Sequence, residues 1–386
     1  MDFKTLSETE DLKGKRVIVR VDFNVPLLRP SSAGQAIVGD DYRIRESLPT
    51  IKYLLDQEAK VVLMSHLESK ETSSLKAVYE HLVSMVDFPV QFSSEIVGQT
   101  VETKIEEMKA GEVILLENLR DNPGEKENSE EFAAALARLG DIYINEAFSA
   151  SHRKHASIVG LPKLLPHFAG LRFEEEVKRL SQAFHPEHPF LFILGGAKFD
   201  TKLPLIEKFL PIADFLFVGG ALAHNFFKEQ GKNLGDSLVS NGSFDLEEKY
   251  ETGKIILPVD MVIKGGDGSG VDTIDHVGTG DIIMDAGPKT LEILDKKIKE
   301  ARFVLWNGPL GNYELGYKKG TLELAEILAR SGQEVIVGGA DTLSSIKELG
   351  LTDKFSFIST GGGAMLDFLS AGTLPGIEAL KLQFLR

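Results

Sequence analysis

The sequence contains no cysteine, which excludes disulfide bonds and thiolate chemistry. No apolar run approaches the length of a membrane span, and the N-terminus lacks the basic and apolar stretches of a signal peptide. Cations are in the minority, with 43 Lys and Arg against 58 Asp and Glu, and the net charge of −15 argues against nonspecific nucleic-acid binding. We therefore expect a cytoplasmic protein that binds neither membrane nor nucleic acid. If its substrates are anionic, its basic residues must be gathered locally.

The order of apolar runs predicts an α/β fold. With 386 residues the chain is too long for one ordinary core, so two domains are expected. Short β-branched runs alternate with glycine or polar turns and amphipathic stretches, which is typical of a parallel sheet with helices on both faces. Strands are predicted at residues 16–21, 60–64, 88–92, 112–116, 141–144, 189–194, 214–218, 254–257, 302–306, 334–337 and 355–358. Helices are predicted at residues 47–58, 72–86, 101–108, 129–140 and 173–184. We place the domain boundary at the last of these helices.

Two lysines follow a glycine pair at the end of a predicted buried strand. The apolar run 189–194 breaks at Gly195 and Gly196, which allow a tight turn and close approach of the backbone to a ligand. If a helix follows, the spacing of Lys198 and Lys202 puts both on one face, beside the N–H groups of the first turn. This arrangement suits a phosphate with several charges, although it is not an ordinary P-loop. Taken alone, the segment fits a surface helix with solvated lysines better.

Polar and basic residues follow the predicted strands of the first half. They are Asp22, Asn24, Arg43, His66, Arg120, His152 and Arg153. Because the carboxyl ends of parallel strands share one edge of a sheet, these residues could form a basic bowl that binds phosphate or carboxylate. Each residue alone fits an ordinary surface position, and the 152–155 segment also fits a solvated basic turn. Agreement among four loops favours a binding site.

Glycines crowd the strand ends of the second half, as a nucleotide site in an open sheet requires. Glycines also turn chains in every α/β protein, so this pattern leaves both interpretations open. Asp341 and Thr342 follow such a pair and offer a carboxylate and a hydroxyl that suit Mg²⁺. Glycines 361–363 precede an apolar helix whose N-terminus could approach a phosphate. Residues 265–270 (GGDGSG) lack EF-hand spacing and are predicted to form a hairpin turn.

The motifs at these positions resemble the phosphoglycerate kinase family, from about Leu12 to Leu380. The resemblance rests on collinear segments, each of them specific to the family in sequence. They are 19–26 (VRVDFNVP), 115–120 (LLENLR), 123–125 (PGE), 147–148 (AF) leading to 152–155 (HRKH), 195–198 (GGAK), 285–290 (DAGPKT), 306–311 (WNGPLG), 338–342 (GGADT) and 359–363 (STGGG). The number and order of these segments exclude a chance match.

The resemblance implies two Rossmann-like lobes, each a mostly parallel sheet flanked by helices, joined by a hinge helix and a returning C-terminus. The N-terminal phosphoglycerate-binding lobe is expected at residues 1–170 together with the tail at about 372–386. The hinge helix is expected at 171–188 and the nucleotide-binding lobe at 189–371. The implied reaction is reversible phosphoryl transfer between 1,3-bisphosphoglycerate and ADP, giving 3-phosphoglycerate and ATP, in glycolysis and gluconeogenesis. It implies direct in-line transfer with hinge closure, Mg²⁺ bound with ATP or ADP, and a monomer.

The resemblance also implies roles for individual residues. The substrate-binding residues implied are Asp22, Phe23, Asn24, Arg43, His66, Ser69, Arg120, His152 and Arg153. The nucleotide-binding residues implied are Lys202, Gly219, Gly220, Asn307, Glu314, Gly339, Ala340, Asp341 and Thr342, with Asp341 also on Mg²⁺. The residues implied around the transferred phosphoryl group are Arg43, Lys198, Lys202, Gly362 and Gly363.

The chain departs from the family pattern after the second strand. The family usually reads His-Leu-Gly-Arg-Pro, and this chain has His-Leu-Glu-Ser-Lys at 66–70, so Ser69 replaces an arginine and Glu68 adds a negative charge. Lys70 could substitute as a point charge. The loop 27–41 is longer than usual, with the insertion expected at 29–34. Ala340 stands where a third glycine is common, and Arg172 takes a usually apolar position at the hinge.

These departures leave two alternatives to an active 3-phosphoglycerate kinase. One is a non-catalytic protein that keeps the fold and the nucleotide site, and the other is a kinase acting on a different small carboxylate. The residues that a decayed site would lose are all present. They are Arg43, Arg120, Arg153, Lys198, Lys202 and Asp341. Their presence favours the active enzyme.

Overall fold

A computed structural model describes residues 2–29, 34–242, 244–266 and 268–381. The chain divides into two compact units. Unit 1 contains the described residues up to Lys178 and those from Ala371 onward, and unit 2 runs from Arg179 to Ser370. None of the described helices combines the length and the apolarity that crossing a membrane would need.

Unit 1 is built on a six-stranded sheet. Its strands, with one small hairpin, are β1 (Arg16–Arg20), β2 (Leu27–Leu28), β3 (Ile37–Val38), β4 (Lys60–Met64), β5 (Val90–Phe92), β6 (Val113–Leu115), β7 (Ile142–Asn145) and β8 (His167–Ala169). Its helices are α1 (Tyr42–Asp56), α2 (Lys76–Met85), α3 (Gln99–Glu107), α4 (Pro123–Glu127), α5 (Glu130–Ala137) and the start of α6 (Leu171–Ser181). The sheet order is β5-β6-β4-β1-β7-β8, and every pair is parallel.

The strands of this sheet are apolar on both faces. In β1 and β4 the segments 17–19 and 61–64 are buried, as a parallel sheet covered on both sides requires. Because β1 pairs with β4 on one side and β7 on the other, the carboxyl ends of these three strands lie together at one edge. The loops that leave this edge carry the polar residues predicted from the sequence.

Unit 2 is built on a second six-stranded sheet. Its strands are β9 (Phe190–Leu194), β10 (Phe215–Val218), β11 (Ile255–Ile256), β12 (Met261–Gly265), β13 (Gly268–Asp272), β14 (Ile282–Ala286), β15 (Phe303–Asn307), β16 (Glu334–Gly338) and β17 (Phe357–Ile358). Its helices are α7 (Phe199–Phe209), α8 (Ala221–Glu229), α9 (Leu246–Glu251), α10 (Pro288–Glu300), α11 (Lys319–Arg330), α12 (Ala340–Glu348) and α13 (Gly363–Ala371). The main sheet has the order β11-β10-β9-β15-β16-β17 and is wholly parallel.

Aromatic packing fixes α7 against the central strand of this sheet. The ring of Phe209 lies edge-on to Phe190 and Phe192, at centroid distances of 6.2 and 5.1 Å. Phe190 also packs against Phe303 of β15 at 5.2 Å. Aromatic pairs of this kind contribute roughly 0.5–1.5 kcal/mol beyond their area burial. The cluster therefore anchors the helix that carries Lys202.

A final helix, α14 (Pro375–Leu380), belongs to unit 1. The N–H of Gly376 donates to the carbonyl of Ser151 at 2.8 Å, and Ile377 and Leu380 are buried. The described end of the chain thus packs in unit 1, while residues 382–386 of the predicted tail lie outside the described residues.

The structure confirms the α/β fold class with two parallel sheets, but several strands were not predicted. These are β8, the β2–β3 hairpin and the antiparallel sheet of β12–β14, whose strands are short or exposed and so carry little apolar signal. Helix α1 begins at Tyr42, before the predicted start at residue 47. The prediction began late because the polar first turn shows no apolar helical period. Helix α6 ends at Ser181, before the predicted limit of 188, and a 3₁₀ turn follows it.

Two loops singled out from the sequence are only partly described. The hairpin predicted at 265–270 is confirmed, since β12 and β13 pair antiparallel with Gly265 opposite Gly268, and Asp267 lies outside the described residues. The expected insertion at 29–34 falls between β2 and β3. Its residues 30–33 also lie outside the part of the chain that the structure describes.

Candidate active site

Five cationic or imidazole side chains meet at the carboxyl edge of the unit 1 sheet. This basic cluster comprises Arg20, Arg43, His66, Arg120 and Arg153. Burial, followed by the charges of the four arginines, holds the pKa of His66 well below its ordinary value. Burial and Arg120 likewise lower the pKa of Arg153. An anion bound here would relieve this repulsion among like charges, so the cluster is electrostatically prepared for a phosphate or carboxylate ligand.

Asp22 positions Arg43 at the rim of the cluster. Its Oδ2 lies 3.0 Å from Nη1 of Arg43 and accepts a hydrogen bond from Oγ of Ser149 at 2.5 Å. Nη1 of Arg43 also donates to the carbonyl of Asn24 at 3.1 Å. The buried carboxylate therefore fixes the direction of a guanidinium that stays partly exposed.

Asn24 joins the loops that follow β1 and β4. Its Oδ1 accepts the N–H of Glu68 at 2.8 Å, and the N–H of Phe23 donates to Oγ of Ser65 at 2.9 Å. The side chain of Phe23 is buried in the core, so the structure does not present this predicted substrate residue to a ligand. Ser69 is half-buried, and its Oγ accepts the N–H of Glu71 at 3.1 Å. It stabilises a turn rather than supplying charge.

Arg20 is a functional residue that the sequence analysis missed. It is fully buried at the end of β1, and its Nη1 donates to the carbonyl of Val21 at 2.6 Å. Its Nη2 lies 2.9 Å from Nδ1 of His66. Because a guanidinium can only donate, Nδ1 must accept, and the proton of the neutral imidazole resides on Nε2. His66 therefore acts as a neutral donor.

A buried carboxylate balances Arg20. Nε of Arg20 donates to Oγ of Ser157 at 3.1 Å, and this hydroxyl donates to Oε1 of Glu125 at 2.6 Å. Burial opposes the ionisation of Glu125. The nearby imidazole of His155, the charge of Arg20 and the hydrogen bonds from Ser157 nevertheless hold its pKa below the usual range. The chain from Glu125 through Ser157 and Arg20 to His66 thus orients the imidazole from behind.

The two remaining arginines of the basic cluster also contact neighbouring side chains. Nη1 of Arg120 forms an ion pair with Oε2 of Glu68. Nε of Arg153 donates to Nε2 of His152 at 3.2 Å. Every predicted substrate residue except Phe23 and Ser69 therefore lies in this cluster or contacts a member of it.

In unit 2 a cavity of about 660 Å³ opens at the carboxyl edge of the sheet. Four helices begin at its wall, with Lys198, Gly220, Gly339 and Gly362 as the residues that precede or flank their first turns. The first three helices have no side-chain cap, although in α8 the N–H groups of Leu222 and Ala223 already donate to the carbonyls of Gly196 and Gly220. Convergent helix N-termini form an anion site.

Lys202 lies at the back of this cavity. It is 8% exposed, and its Nζ donates to the carbonyl of Gly195 at 2.5 Å and to Oδ1 of Asn307 at 3.0 Å. Burial lowers the pKa of Lys202 to about 8, and the charge of Asp341 opposes this shift. A phosphate in the cavity would stabilise the charged form, so Lys202 is suited to gain charge as an anion binds.

The predicted glycines allow the strand ends to approach each other. A Cβ on Gly195 would lie 2.2 Å from the carbonyl oxygen of Pro309, and one on Gly308 would lie 2.4 Å from that of Gly195. Gly308 also has a φ of +95°, and its N–H donates to Oγ1 of Thr342 at 3.1 Å. Because these positions carry no side chain, a phosphate can approach the backbone at the floor of the cavity.

Asp285 is a cavity residue to which the sequence analysis gave no role. It is 4% exposed, and its carboxylate accepts the N–H groups of Ala286 and Gly320, each at 2.9 Å. Burial raises its pKa to about 6, against these hydrogen bonds. A Cβ on Gly311 would lie 2.4 Å from its Cγ. The only sequence signal was its place in the 285–290 motif.

The structure places most of the predicted nucleotide residues around this one cavity. The predicted residues that line it are Lys198, Lys202, Gly220, Asn307, Glu314, Gly339, Ala340, Asp341, Thr342, Gly362 and Gly363. Gly219 is not among the lining residues, because it packs toward Phe217 and Leu310.

The fold and the two sites define an α/β protein with two parallel sheets, each with groups that suit an anion at the carboxyl ends of its strands. A family model described as phosphoglycerate kinase matches residues 6–372. Phosphoglycerate kinases from Dictyoglomus turgidum and Pseudothermotoga lettingae are 42% and 40% identical, over 96% of this chain and 97% and 96% of theirs. The structure of phosphoglycerate kinase from Coxiella burnetii matches with a TM-score of 0.82 and 35% identity, covering 98% of both chains. The chain belongs to the phosphoglycerate kinase family.

Family membership confirms the enzyme class expected from the sequence motifs. The chain is a kinase that transfers a phosphoryl group between 1,3-bisphosphoglycerate and ADP in glycolysis, and its substrates are small molecules that include a nucleotide.

Proposed function

We propose that unit 1 binds 3-phosphoglycerate or its acyl phosphate, and that unit 2 binds ATP or ADP with Mg²⁺. The observation that carries this assignment is the cavity of unit 2, where four helix N-termini meet a buried lysine. Such a site suits the several phosphates of a nucleotide. The basic cluster of unit 1 brings four arginines together around His66 and suits a substrate with one phosphate and one carboxylate.

In unit 1 each group of the acceptor has a candidate partner. Asp22 and Asn24 would contact the hydroxyl and carboxyl end of the glycerate, with Arg43 beside them. His66 would donate a neutral N–H, since its Nδ1 already accepts from Arg20. Arg120 and Arg153, with His152, would bind the substrate phosphate. Arginine suits this role because its fork makes paired contacts with phosphate oxygens.

In unit 2 the nucleotide phosphates would lie against the helix N-termini, with Lys202 beneath them. Glu314 would accept hydrogen bonds from the ribose hydroxyls. The residue that fits Mg²⁺ is Asp341, which lines the cavity in the first turn of α12. No cluster of three or more metal-binding side chains occurs among the described residues. An ion in this cavity would be held by the Asp341 carboxylate together with substrate phosphates. The bound ion would neutralise charge on the transferred phosphate.

The chemistry requires positioning rather than a covalent intermediate. In the direction of ATP use, a carboxylate oxygen of 3-phosphoglycerate attacks the γ-phosphorus, and the bond to the β,γ-bridging oxygen breaks. The attacking oxygen is already ionised, so no general base is needed. Lys198 and the N–H groups of Gly362 and Gly363 would stabilise the developing charge on the donor side, and Arg43 on the acceptor side. Because the substrates bind to different units, in-line transfer also requires a closure step.

We also propose that the enzyme is a monomer and that it is located in the cytoplasm. A second candidate function is transfer to a different small carboxylate. Ser69 favours this alternative, because its hydroxyl is engaged with Glu71 and adds no charge where the family usually has an arginine.

The proposal is tested by following ATP consumption with Mg²⁺ and 3-phosphoglycerate, with the acyl phosphate drawn off by a coupled dehydrogenase. Turnover that depends on 3-phosphoglycerate and is absent with glycerate supports the assignment. Turnover with glycerate and not with 3-phosphoglycerate would favour the altered acceptor. ATP binding without turnover on any carboxylate would favour a binding protein.

The pKa of Lys202 leads to a prediction about proton uptake. Near pH 8.5 a large share of Lys202 is neutral in the free protein, because its pKa is about 8. Binding of anionic ADP raises that pKa, so the complex should take up protons at pH 8.5 and very few at pH 6.5. Affinity should therefore fall as the pH rises above about 8. Calorimetry in two buffers of different ionisation enthalpy measures the uptake.

The matched variants are Lys202→Met and Lys228→Met. Lys228 is exposed on α8 and does not line the cavity, so its variant should keep the uptake. The Lys202→Met protein should lose it. Equal uptake in the Lys202→Met protein would assign the titrating group elsewhere.

A further inference from the structure

Glu68 places a carboxylate on a cation of the proposed substrate site. It follows β4, and its Oε2 pairs with Nη1 of Arg120. The two partners are unequal in burial, since the Arg120 side chain is 7% exposed and that of Glu68 is 69% exposed. The backbone N–H of Glu68 donates to Oδ1 of Asn24, which holds this loop against the loop after β1. The carboxylate can therefore swing into solvent while its backbone stays fixed.

Glu68 is an exposed carboxylate that pairs with the basic cluster. The hydrogen bond and charge of Arg120 lower the pKa of Glu68, with smaller effects from Arg153 and Lys126. The side chain is therefore ionised at neutral pH. A ligand anion that approaches Arg120 meets a negative charge already on the guanidinium.

The carboxylate satisfies Arg120 only in part. Its hydrogen bond uses Nη1, while Nε is buried and has no hydrogen-bond partner in the part of the chain that the structure describes. Arginine forks bind phosphate through two parallel N–H groups. A phosphate at Arg120 could pair with two N–H groups of the guanidinium where Glu68 uses one, and it carries up to two negative charges where Glu68 carries one.

We propose that Glu68 is an internal competitor for Arg120, which occupies the guanidinium until a phosphate-bearing substrate displaces it. This inference rests on the proposed substrate site of unit 1. The exchange weakens binding of the correct substrate, since one ion pair is lost for each one gained. It weakens the binding of singly charged anions more. Such an anion lacks a second charge and makes no paired contact with the guanidinium that could offset the lost ion pair. Glu68 thus sets both the affinity and the selectivity for a dianionic phosphate.

The isosteric variant Glu68→Gln tests the proposal, because it removes the charge and keeps a side chain of the same shape. Surface pairs contribute about 0.2–1 kcal/mol, which corresponds to a roughly 1.4- to 5-fold change in binding. The KM for 3-phosphoglycerate should fall by about that factor at low salt, while the KM for ATP stays unchanged. Inorganic phosphate, titrated into the protein without nucleotide, should also bind more tightly, and chloride should compete with it more strongly than in the unaltered protein.

The matched control is Glu71→Gln, three residues along the same loop. Glu71 pairs with Arg29 at 3.3 Å rather than with the basic cluster, and its variant changes the net charge by the same amount. It should leave both affinities unchanged. In an Arg120→Met background, Glu68→Gln should have no effect on phosphate binding.

An unchanged or raised KM together with unchanged or weaker phosphate binding in Glu68→Gln would overturn the proposal, as would an equal gain in Glu71→Gln. Failure of the proposed function would look different. The unaltered protein would then show no turnover with 3-phosphoglycerate, and the phosphate titration would still decide whether Glu68 competes for Arg120.

Discussion

Replacing Lys198 with Ala is expected to lower kcat for 3-phosphoglycerate phosphorylation by about 100-fold or more, the usual cost of removing one preorganised donor from a transition state. Lys198 flanks the N-terminus of α7 at the wall of the unit 2 cavity. Its ammonium can follow the phosphoryl group as charge moves off the γ-phosphate. The KM for ATP should change much less than kcat, because the other cavity groups hold the ground state.

The fold should survive this change. Lys198 is exposed, and Lys202 in the same helix keeps its hydrogen bonds to Gly195 and Asn307. Thermal unfolding of the variant should match that of the unaltered protein. The matched control is Lys228→Ala, which removes an exposed charge from α8 outside the cavity and should keep full turnover. Turnover of the Lys198→Ala protein near the normal rate would remove Lys198 from the mechanism.

The parallel strands were the most predictable part of the fold, because strands buried on both faces appear as continuous apolar runs. Residues 60–64 and 190–194 are examples, and each lies within a predicted strand. The carboxyl ends of such strands share an edge, which is why the positions of His66 and Asp341 after strands predict that they lie at binding sites. Short edge strands such as β8 give no comparable signal.

Phe23 shows where sequence reasoning stopped. It sits between Asp22 and Asn24 in a motif that reaches the basic cluster, yet its ring is buried in the core. A motif states which residues occur together and not which way each side chain points. Asp22 pairs with Arg43 and Asn24 accepts the N–H of Glu68. These partners come from helix α1 and from the loop after β4, which the motif alone does not reveal.

Arg20 was missed for the opposite reason. It ends an apolar run and was counted as part of a strand, where a charge normally marks the exposed end. The signal that could have found it is the cost of burial, since a charged side chain inside a parallel strand needs a buried partner. That partner, Glu125, lies 105 positions further along the chain and cannot be paired with Arg20 without the fold.

Replacing Arg20 with Met should cost about 3–5 kcal/mol of folding free energy, as expected when the cation that compensates a buried carboxylate is removed. Met fills much of the volume, so the loss comes from charge and hydrogen bonds rather than from a cavity. The Glu125 carboxylate would stay buried without the cation, and the carbonyl of Val21 would lose its donor. Hydrogen exchange of the β1, β4 and β7 amides measures the loss, with β9 and β15 of unit 2 as internal reference.

A double variant separates charge from packing. Adding Glu125→Gln to Arg20→Met removes the uncompensated carboxylate, and it should recover part of the lost protection, with a coupling energy of about 0.5–3 kcal/mol. Ser157 can still donate to the amide oxygen that replaces the carboxylate oxygen. Strictly additive losses would show that Arg20 and Glu125 do not act as a pair.

The single variant Arg20→Met also tests whether Arg20 positions His66. The measurement is the titration of His66, which a change in stability alone would not alter. The pKa of His66 lies well below its ordinary value, first through burial and then through the charge of Arg20. In the unaltered protein the imidazole nitrogen signals should show a neutral Nε2–H ring that does not titrate in the range usual for histidine. In the Arg20→Met protein, Nδ1 loses its donor and the pKa rises, so the ring should titrate nearer its usual range and exchange between tautomers. A His66 signal unaltered by the substitution would mean that burial alone fixes the imidazole, and Arg20 would then be a purely structural residue.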